Sequence, residues 1–85
     1  MKFAVSTAGH DKGTYYAVIG EEADAVRVAD GRLKTLEKPK RKNRKHVRLF
    51  EKNIEGEAVR NNADIIRMIR EIKRKKDSDE EELHV

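Results

Sequence analysis

The sequence contains no cysteine and no apolar run long enough to cross a membrane, and these two absences narrow the class of protein. Without cysteine, neither a disulfide framework nor a thiolate zinc site can support so short a chain. Three scattered histidines do not replace such a site, so no metal is expected. Nothing at the start resembles a signal peptide. We therefore expect a protein of the reducing cytoplasm without a membrane partner.

Apolar residues are also scarce, since they make up 36% of the 85 residues, whereas charged residues make up 42%. A chain of this length has room for one small domain with a lean core. The glycines at its start lack the Gly-Lys-Ser/Thr continuation of a Walker loop, and so small a domain offers little depth for a catalytic triad. The sequence predicts a protein that is not an enzyme and has no cofactor or small-molecule substrate.

What the sequence does contain is one segment rich in positive charge. Between Arg32 and Arg48, nine of seventeen residues are Lys or Arg and one, Glu37, is acidic, so this segment has a net charge of +8 with His neutral. Residues 77–85, by contrast, have a net charge of −5. The commonest partner for a concentrated positive field is a polyphosphate backbone. We call residues 32–48 the basic run, and it predicts nucleic-acid binding.

The first half of the sequence has the period-two alternation of short β-strands. Gly9, Asp11 and Gly13 predict a tight turn after the first strand, and Asp30-Gly31 predicts a two-residue hairpin turn. The five predicted strands cover residues 2–6, 14–19, 24–29, 32–37 and 46–49. Five short strands joined by tight turns predict a small barrel, because closure removes exposed strand edges.

The second half changes to a helical period. After a linker over residues 51–61, the pattern predicts a helix over residues 62–76 with a narrow apolar stripe, formed by Ile65, Met68, Ile69 and Ile72. So thin a stripe does not stabilise an isolated helix, and it must dock on the barrel or on a partner. The acidic residues 77–85 are predicted to be a disordered tail.

Three motifs at a defined spacing carry a resemblance to a known family. They are Ala-Gly-His-Asp-Lys-Gly at 8–13, Val-Ala-Asp-Gly at 28–31 and Pro-Lys-Arg-Lys at 39–42. Together they resemble the KOW motif of small bacterial KOW domain-containing RNA-binding proteins, which are related to a group of large-subunit ribosomal proteins. The likeness covers about residues 3–50. It implies an SH3-like barrel over residues 1–50, RNA as the ligand (ribosomal RNA foremost), and an association with the ribosome or translation.

The candidate RNA-binding residues are a loop-tip lysine, one strand tyrosine and the basic run. The expected geometry places Arg32 and Lys34 on the outward face of one strand, His46 and Arg48 on that of another, and a mobile loop over residues 38–45. Tyr15 is a candidate for stacking on an unpaired base. The full set is Lys12, Tyr15, Arg32, Lys34, Lys38, Lys40, Arg41, Lys42, Arg44, Lys45, His46 and Arg48, with structural turns at Gly9, Asp11, Gly13, Asp30 and Gly31.

Two other functions remain open at this point. The chain could be a protein-interaction module of the transcription or translation machinery, with the apolar stripe of the helix as its partner surface. It could also bind DNA and other polyanions without specificity, as the overall positive charge allows. In a further hypothesis, the acidic residues 77–85 fold back onto the basic run.

Overall fold

The computed structural model describes residues 1–53 and 59–83, with side chains described up to residue 74. Its elements are β1 (Lys2–Ser6), β2 (Tyr15–Glu21), β3 (Ala25–Ala29), β4 (Lys40–Asn43), a short 3-10 segment (Arg44–His46), β5 (Val47–Glu51) and α1 (Asn62–Leu83). The five strands form one antiparallel sheet in the order β4-β3-β2-β1-β5. The prediction of a mainly β protein with five short strands and one C-terminal helix is confirmed.

Apolar residues cover both faces of the sheet, because successive side chains of a strand point to opposite sides. One face, which we call the inner face, carries a buried cluster of Ala4, Tyr16, Val26, Val28 and Val47. The other face carries Phe3, Val5, Tyr15, Ala17 and Ala29, and these pack against α1. The sheet therefore separates two small cores.

The apolar stripe of α1 belongs to the second core. Ile65 and Met68 have no exposed surface, and Ile69 and Ile72 are 8% and 6% exposed. The interpretation of this stripe as a partner surface is therefore wrong, because the sheet already covers it. The helix also continues to Leu83 instead of ending at residue 76, and the Glu and Leu residues in that stretch favour helix.

Two predicted segments lie at or beyond the edge of the described residues. Residues 54–58 of the predicted linker and residues 84–85 of the predicted tail lie outside them, as do the side chains of residues 77–83. The hypothesis that the acidic residues fold back onto the basic run therefore stays a hypothesis. Within the described residues, no helix has both the length and the apolarity that a membrane span requires.

The predicted fourth strand is wrong. Residues 32–37 form a loop, and β4 lies at residues 40–43, inside the segment predicted to be a mobile loop. The Asp30 side chain causes the difference, since its Oδ1 accepts from the backbone N–H of Arg32 (2.9 Å) and of Lys34 (3.0 Å). The Lys34 carbonyl in turn accepts from the N–H groups of Asp30 and Gly31. These hydrogen bonds close a turn over residues 30–34, and the predicted two-residue hairpin turn does not form.

The sheet is strongly curled, although the described strands do not close it by pairing, since β4 and β5 are its two edges. The Lys42 Nζ on β4 lies 3.2 Å from the Ser6 Oγ at the end of β1. In a flat sheet these strands would be three spacings, about 14 Å, apart, which is beyond the reach of a lysine side chain. The inner face is therefore concave, and Lys42 crosses it.

Candidate nucleic-acid interface

The loop between β1 and β2 depends on two glycines. Gly9 and Gly13 have φ values of 85° and 90°, in the left-handed region that residues with a Cβ rarely adopt. The Gly13 N–H donates to the Ser6 carbonyl at 2.8 Å, and the Thr14 N–H donates to the Asp11 carbonyl at 2.8 Å. The loop is short and internally bonded, and it turns the Asp11 carboxylate inward while Lys12 stays exposed.

Asp11 is the centre of a polar network that joins three strands. Its Oδ2 lies 2.7 Å from the Nζ of Lys42 on β4 and accepts from the Tyr16 hydroxyl on β2 at 2.6 Å. Its Oδ1 lies 2.9 Å from the same Nζ and 2.8 Å from the hydroxyl of Ser6 on β1. Each of these four side chains thus has a polar partner, and the network holds the curled sheet together.

The network shifts two pKa values in opposite directions. The hydrogen bonds from Lys42 and Tyr16 hold the pKa of the Asp11 carboxyl well below its usual range. Burial raises the pKa of the Tyr16 phenol above its ordinary value, and the hydrogen bond to the Asp11 carboxylate raises it further. At neutral pH the site therefore holds an ion pair of Lys42 and Asp11 with a neutral phenol.

Lys42 is therefore internal, although the sequence groups it with the candidate RNA-binding cations. Its side chain is 8% exposed, and its ammonium contacts both Asp11 oxygens and Ser6. An ammonium group has three protons to donate, and these three contacts use them. The observed geometry gives Lys42 a structural role in place of a phosphate contact.

Two arginines of the basic run are also balanced by acidic residues of the fold. Arg41 pairs with Asp24 at 3.1 Å and with Glu22 at 3.4 Å. Arg44 pairs with Glu21 at 3.3 Å and donates to the Glu22 carbonyl at 2.8 Å. Hydrogen bonds from Lys2 and then from Arg44 lower the pKa of Glu21. The acidic end of the β2–β3 hairpin thus compensates the charge of Arg41 on β4 and of Arg44 in the 3-10 segment.

The other six cations of the basic run form no ion pair within the described part of the chain. The same holds for Lys12 on the loop between β1 and β2 (residues 7–14), which we call the glycine loop. Lys34 is half-buried and the others are exposed. These seven residues, Lys12, Arg32, Lys34, Lys38, Lys40, Lys45 and Arg48, carry positive charge that no ion pair within the described residues neutralises.

A groove at the end of the inner face collects part of this charge. We call it the basic groove; it is lined by Ala8, Gly9, His10, Asp11, Lys34, Lys40, Arg41, Lys42, Asn43 and His46. Lys34 comes from the loop before β4, Lys40 from β4 itself and His46 from the 3-10 segment. Among the described residues, the only acidic one that lines the groove is Asp11, and it is already paired with Lys42. The groove can therefore take an anion.

The fold separates several candidate residues from this groove. Arg48 lies on β5 opposite Val5, on the face that carries α1. Tyr15 is 9% exposed and packs edge-to-face on Phe50, with ring centroids 6.1 Å apart. Tyr15 is therefore a core residue and does not offer an open stacking surface. Arg32 and Tyr15 instead line a second cleft beside α1.

Ser6 and Asn62 take part in the site although the sequence did not single them out for it. Ser6 shares the inward direction of Ala4, and this position was the available signal. Asn62 joins α1 to the loop before β4: its Oδ1 accepts from the Leu36 N–H at 2.8 Å, and its Nδ2 donates to Glu37 at 3.0 Å. That bond lowers the pKa of Glu37. The neighbouring Asn61 caps α1, because its Oδ1 accepts from the Asp64 N–H at 3.0 Å.

No protein-family model and no curated protein matches this chain. The KOW resemblance therefore depends on the three motifs themselves. Among the residues described, no three or more His, Cys, Asp or Glu side chains are grouped so that they could hold a metal ion. The chemistry that the site offers is the binding of an anion by lysines and histidine.

Proposed function

We propose that this protein binds RNA through the basic groove, as a factor of the translation apparatus with ribosomal RNA as its foremost partner. The observation that carries the proposal is the division within the basic run. Arg41, Lys42 and Arg44 are neutralised by the fold, whereas Lys34 and Lys40 line a groove and have no acidic partner among the described residues. A partner in the translation apparatus implies a cytoplasmic location.

Two lysines that line one groove and have no acidic partner among the described residues favour a polyanionic ligand. Lys34, Lys40 and His46 come from three segments, so the fold itself holds these groups side by side, at a cost in charge repulsion. A phosphate backbone relieves that repulsion and releases its condensed counterions. Lysines on a curved edge contact phosphates as point charges, which favours recognition of backbone shape over base sequence.

Two of the motifs that carry the KOW resemblance meet in the fold. The Asp11–Lys42 ion pair joins the Gly-His-Asp-Lys-Gly motif to the Pro-Lys-Arg-Lys motif, which are far apart in sequence. It also spans the curled sheet from β4 to the β1–β2 loop. We include an SH3-like barrel in the proposal, and hydrogen bonds between β4 and β5 in an experimental structure would establish its closure.

The salt dependence of RNA binding tests the electrostatic mechanism. If about five phosphates are neutralised, the logarithm of the affinity should fall with the logarithm of the salt concentration at a slope of about −3.5 to −4.5. The measurement is fluorescence anisotropy with a folded ribosomal-RNA fragment between about 50 and 200 mM KCl. A slope near zero contradicts the proposal.

A charge-reversal variant locates the interface. The double variant Lys34→Glu, Lys40→Glu should bind the same RNA at least about tenfold more weakly, because it replaces two phosphate contacts with repulsion. Equal affinity for duplex DNA in competition would instead indicate a non-specific polyanion binder. A protein partner captured equally well after nuclease treatment, together with unchanged RNA affinity of the double variant, would favour the protein-interaction module.

A further inference from the structure

A second cleft lies between α1 and the loop that follows β3. It has a volume of about 320 Å³, and its lining includes Tyr15, Arg32, Ile66, Ile69, Arg70 and Lys73. Ile66, Ile69, Arg70 and Lys73 fall on one face of α1 because residues three and four apart in a helix are neighbours. We call this site the helix cleft. Its helical cations lie outside the basic run.

The rim of the helix cleft is positively charged. Arg32 from the loop faces Arg70 and Lys73 from α1, and none of the three has an ion-pair partner in the part of the chain that the structure describes. The acidic residue of the lining is Asp30, and its Oδ1 already accepts from the Arg32 and Lys34 backbone. The rim therefore has an excess of positive charge.

The floor of the helix cleft is apolar. It consists of the half-buried Ile66 together with the small exposed edges of the core residues Tyr15 and Ile69. An apolar floor under a cationic rim fits a planar base that carries a phosphate. A volume near 320 Å³ lies at the lower end of the range of about 300–1,000 Å³ for small-molecule pockets, which suits a single nucleotide.

The helix cleft and the basic groove flank the same loop. Arg32 lines the cleft and Lys34 lines the groove, and the residue between them, Leu33, is 86% exposed. The glycine loop joins the two sites in the same way, since His10 lines the groove and Thr14 lines the cleft. A strand whose phosphates lie in the groove can therefore continue over these loops into the cleft.

We propose that the helix cleft binds one unpaired nucleotide of the RNA whose backbone lies in the basic groove. The base contacts the apolar floor, and its phosphate contacts Arg32, Arg70 and Lys73. This assignment rests on the proposed function and adds a specificity to it: the protein distinguishes an RNA helix with a bulged nucleotide from a fully paired one. Unpaired bases at bulges are accessible to proteins in a way that paired bases are not.

Three RNA hairpins of matched sequence test the proposal. The first is fully paired, the second has a single bulged nucleotide, and the third has an abasic residue at the bulge. Since only the bulged hairpin offers an unpaired base to the apolar floor, the full-length protein should bind it at least about fivefold more tightly than the other two. Affinities are measured by fluorescence anisotropy at one fixed salt concentration.

Two neighbouring positions on α1 provide a matched pair of variants. Lys73 lines the cleft, whereas Arg74 is 72% exposed and pairs with Glu71 at 2.7 Å. Lys73→Gln should reduce the preference for the bulged hairpin by at least about threefold, since it removes one contact to phosphate, and Arg74→Gln should leave that preference unchanged. Both positions are exposed, so neither change should unfold the protein.

The possible results separate this inference from the proposed function. Equal affinity for all three hairpins overturns the helix-cleft proposal and leaves RNA binding intact. A bulge preference that the abasic hairpin retains also overturns it, because the base would then not be read. Equal effects of Lys73→Gln and Arg74→Gln overturn it as well. Failure to bind any of the three contradicts the proposed function itself.

Discussion

Lys40 and Lys42 lie two positions apart on β4 and differ completely in environment. Lys42 is 8% exposed, and its ammonium contacts both carboxylate oxygens of Asp11. Lys40 is exposed at the basic groove and pairs with no acid among the described residues. The two side chains have the same chemistry and lie on the same face of the strand. Their comparison shows that charge density along a sequence differs from the charge that a folded surface presents.

The register of β4 explains the difference. Lys42 is opposite Val26 and Lys40 is opposite Val28, so both side chains point to the inner face. Lys40 is the first residue of β4, whereas Lys42 lies inside the strand. Removing an ammonium group from water is costly unless it is paired and hydrogen-bonded. Asp11 and Ser6 supply those partners at the position of Lys42. Lys40 stays solvated and available.

The largest expected effect is the loss of stability when the buried lysine, Lys42, is replaced. Lys42→Met should lower the free energy of unfolding by about 3 kcal/mol, because removal of one partner leaves a partly buried carboxylate unpaired. Urea unfolding at pH 7 measures it. Lys40→Met is the control on the same strand and should change the free energy by less than about 0.5 kcal/mol. Similar losses in both variants would show that the two lysines do not differ as described.

The pH dependence of the free energy of unfolding tests the role of Asp11, the partner of the buried Lys42. The folded-state pKa of Asp11 lies well below the ordinary value of 3.8, so the folded protein takes up this proton later than the unfolded chain does. The stabilisation is therefore complete above about pH 5 and is lost as the pH falls through 4 towards the folded pKa. Asp11→Asn should flatten the fall in the free energy of unfolding between pH 5 and pH 3.

Two other carboxyls with lowered pKa values make this comparison necessary. Glu21 and Glu37 also contribute to the loss of stability in acid, and both remain in the Asp11→Asn variant. The difference between wild type and variant therefore isolates Asp11. Parallel pH profiles for the two proteins would mean that the Asp11 network does not differ between the folded and unfolded states.

A smaller loss of unfolding free energy is expected when the Tyr16 hydroxyl, which donates to Asp11, is removed. Tyr16→Phe retains the buried ring and removes the 2.6 Å hydrogen bond to the Asp11 carboxylate. We expect a loss of about 2 kcal/mol, since hydrogen bonds to charged groups are worth about 1.5–3 kcal/mol. Urea unfolding of Tyr16→Phe, Asp11→Asn and the double variant provides the measurement. Strictly additive losses would contradict a direct coupling between the two residues.

The smallest expected effect is on the salt dependence of RNA binding when the exposed lysine, Lys40, is replaced. Lys40→Gln should reduce the magnitude of the salt slope of RNA binding by about 0.7–0.9, the contribution of one phosphate contact. Lys2→Gln is the matched control, because Lys2 is bonded to Glu21 and starts β1, the strand whose other end reaches the groove. Its slope should equal that of the wild type. Equal changes in the two variants would indicate a diffuse effect of net charge.

Local patterns predicted most of the elements. Period-two alternation located β1, β3 and β5, aromatic and β-branched residues located β2, and the apolar stripe at helical spacing located α1. The fourth strand was missed because residues 40–43 consist of three cations and one asparagine and carry no apolar signal. Their strand conformation depends on pairing with β3, which supplies the apolar side chains. Residues 32–37 had the alternation, but side-chain hydrogen bonds from Asp30 turned the chain there.

Composition and local patterns are enough to set the chemistry of this protein: a lean core, no thiols, a concentrated positive charge and turns that need glycine. Which cations are available depends on the folded arrangement. It placed Asp11 against Lys42 and the acids of the β2–β3 hairpin against Arg41 and Arg44, and it brought Arg70 and Lys73 of α1 beside Arg32. The reason is physical, because the pairing of charges depends on distances of a few ångströms between residues that are far apart in the chain.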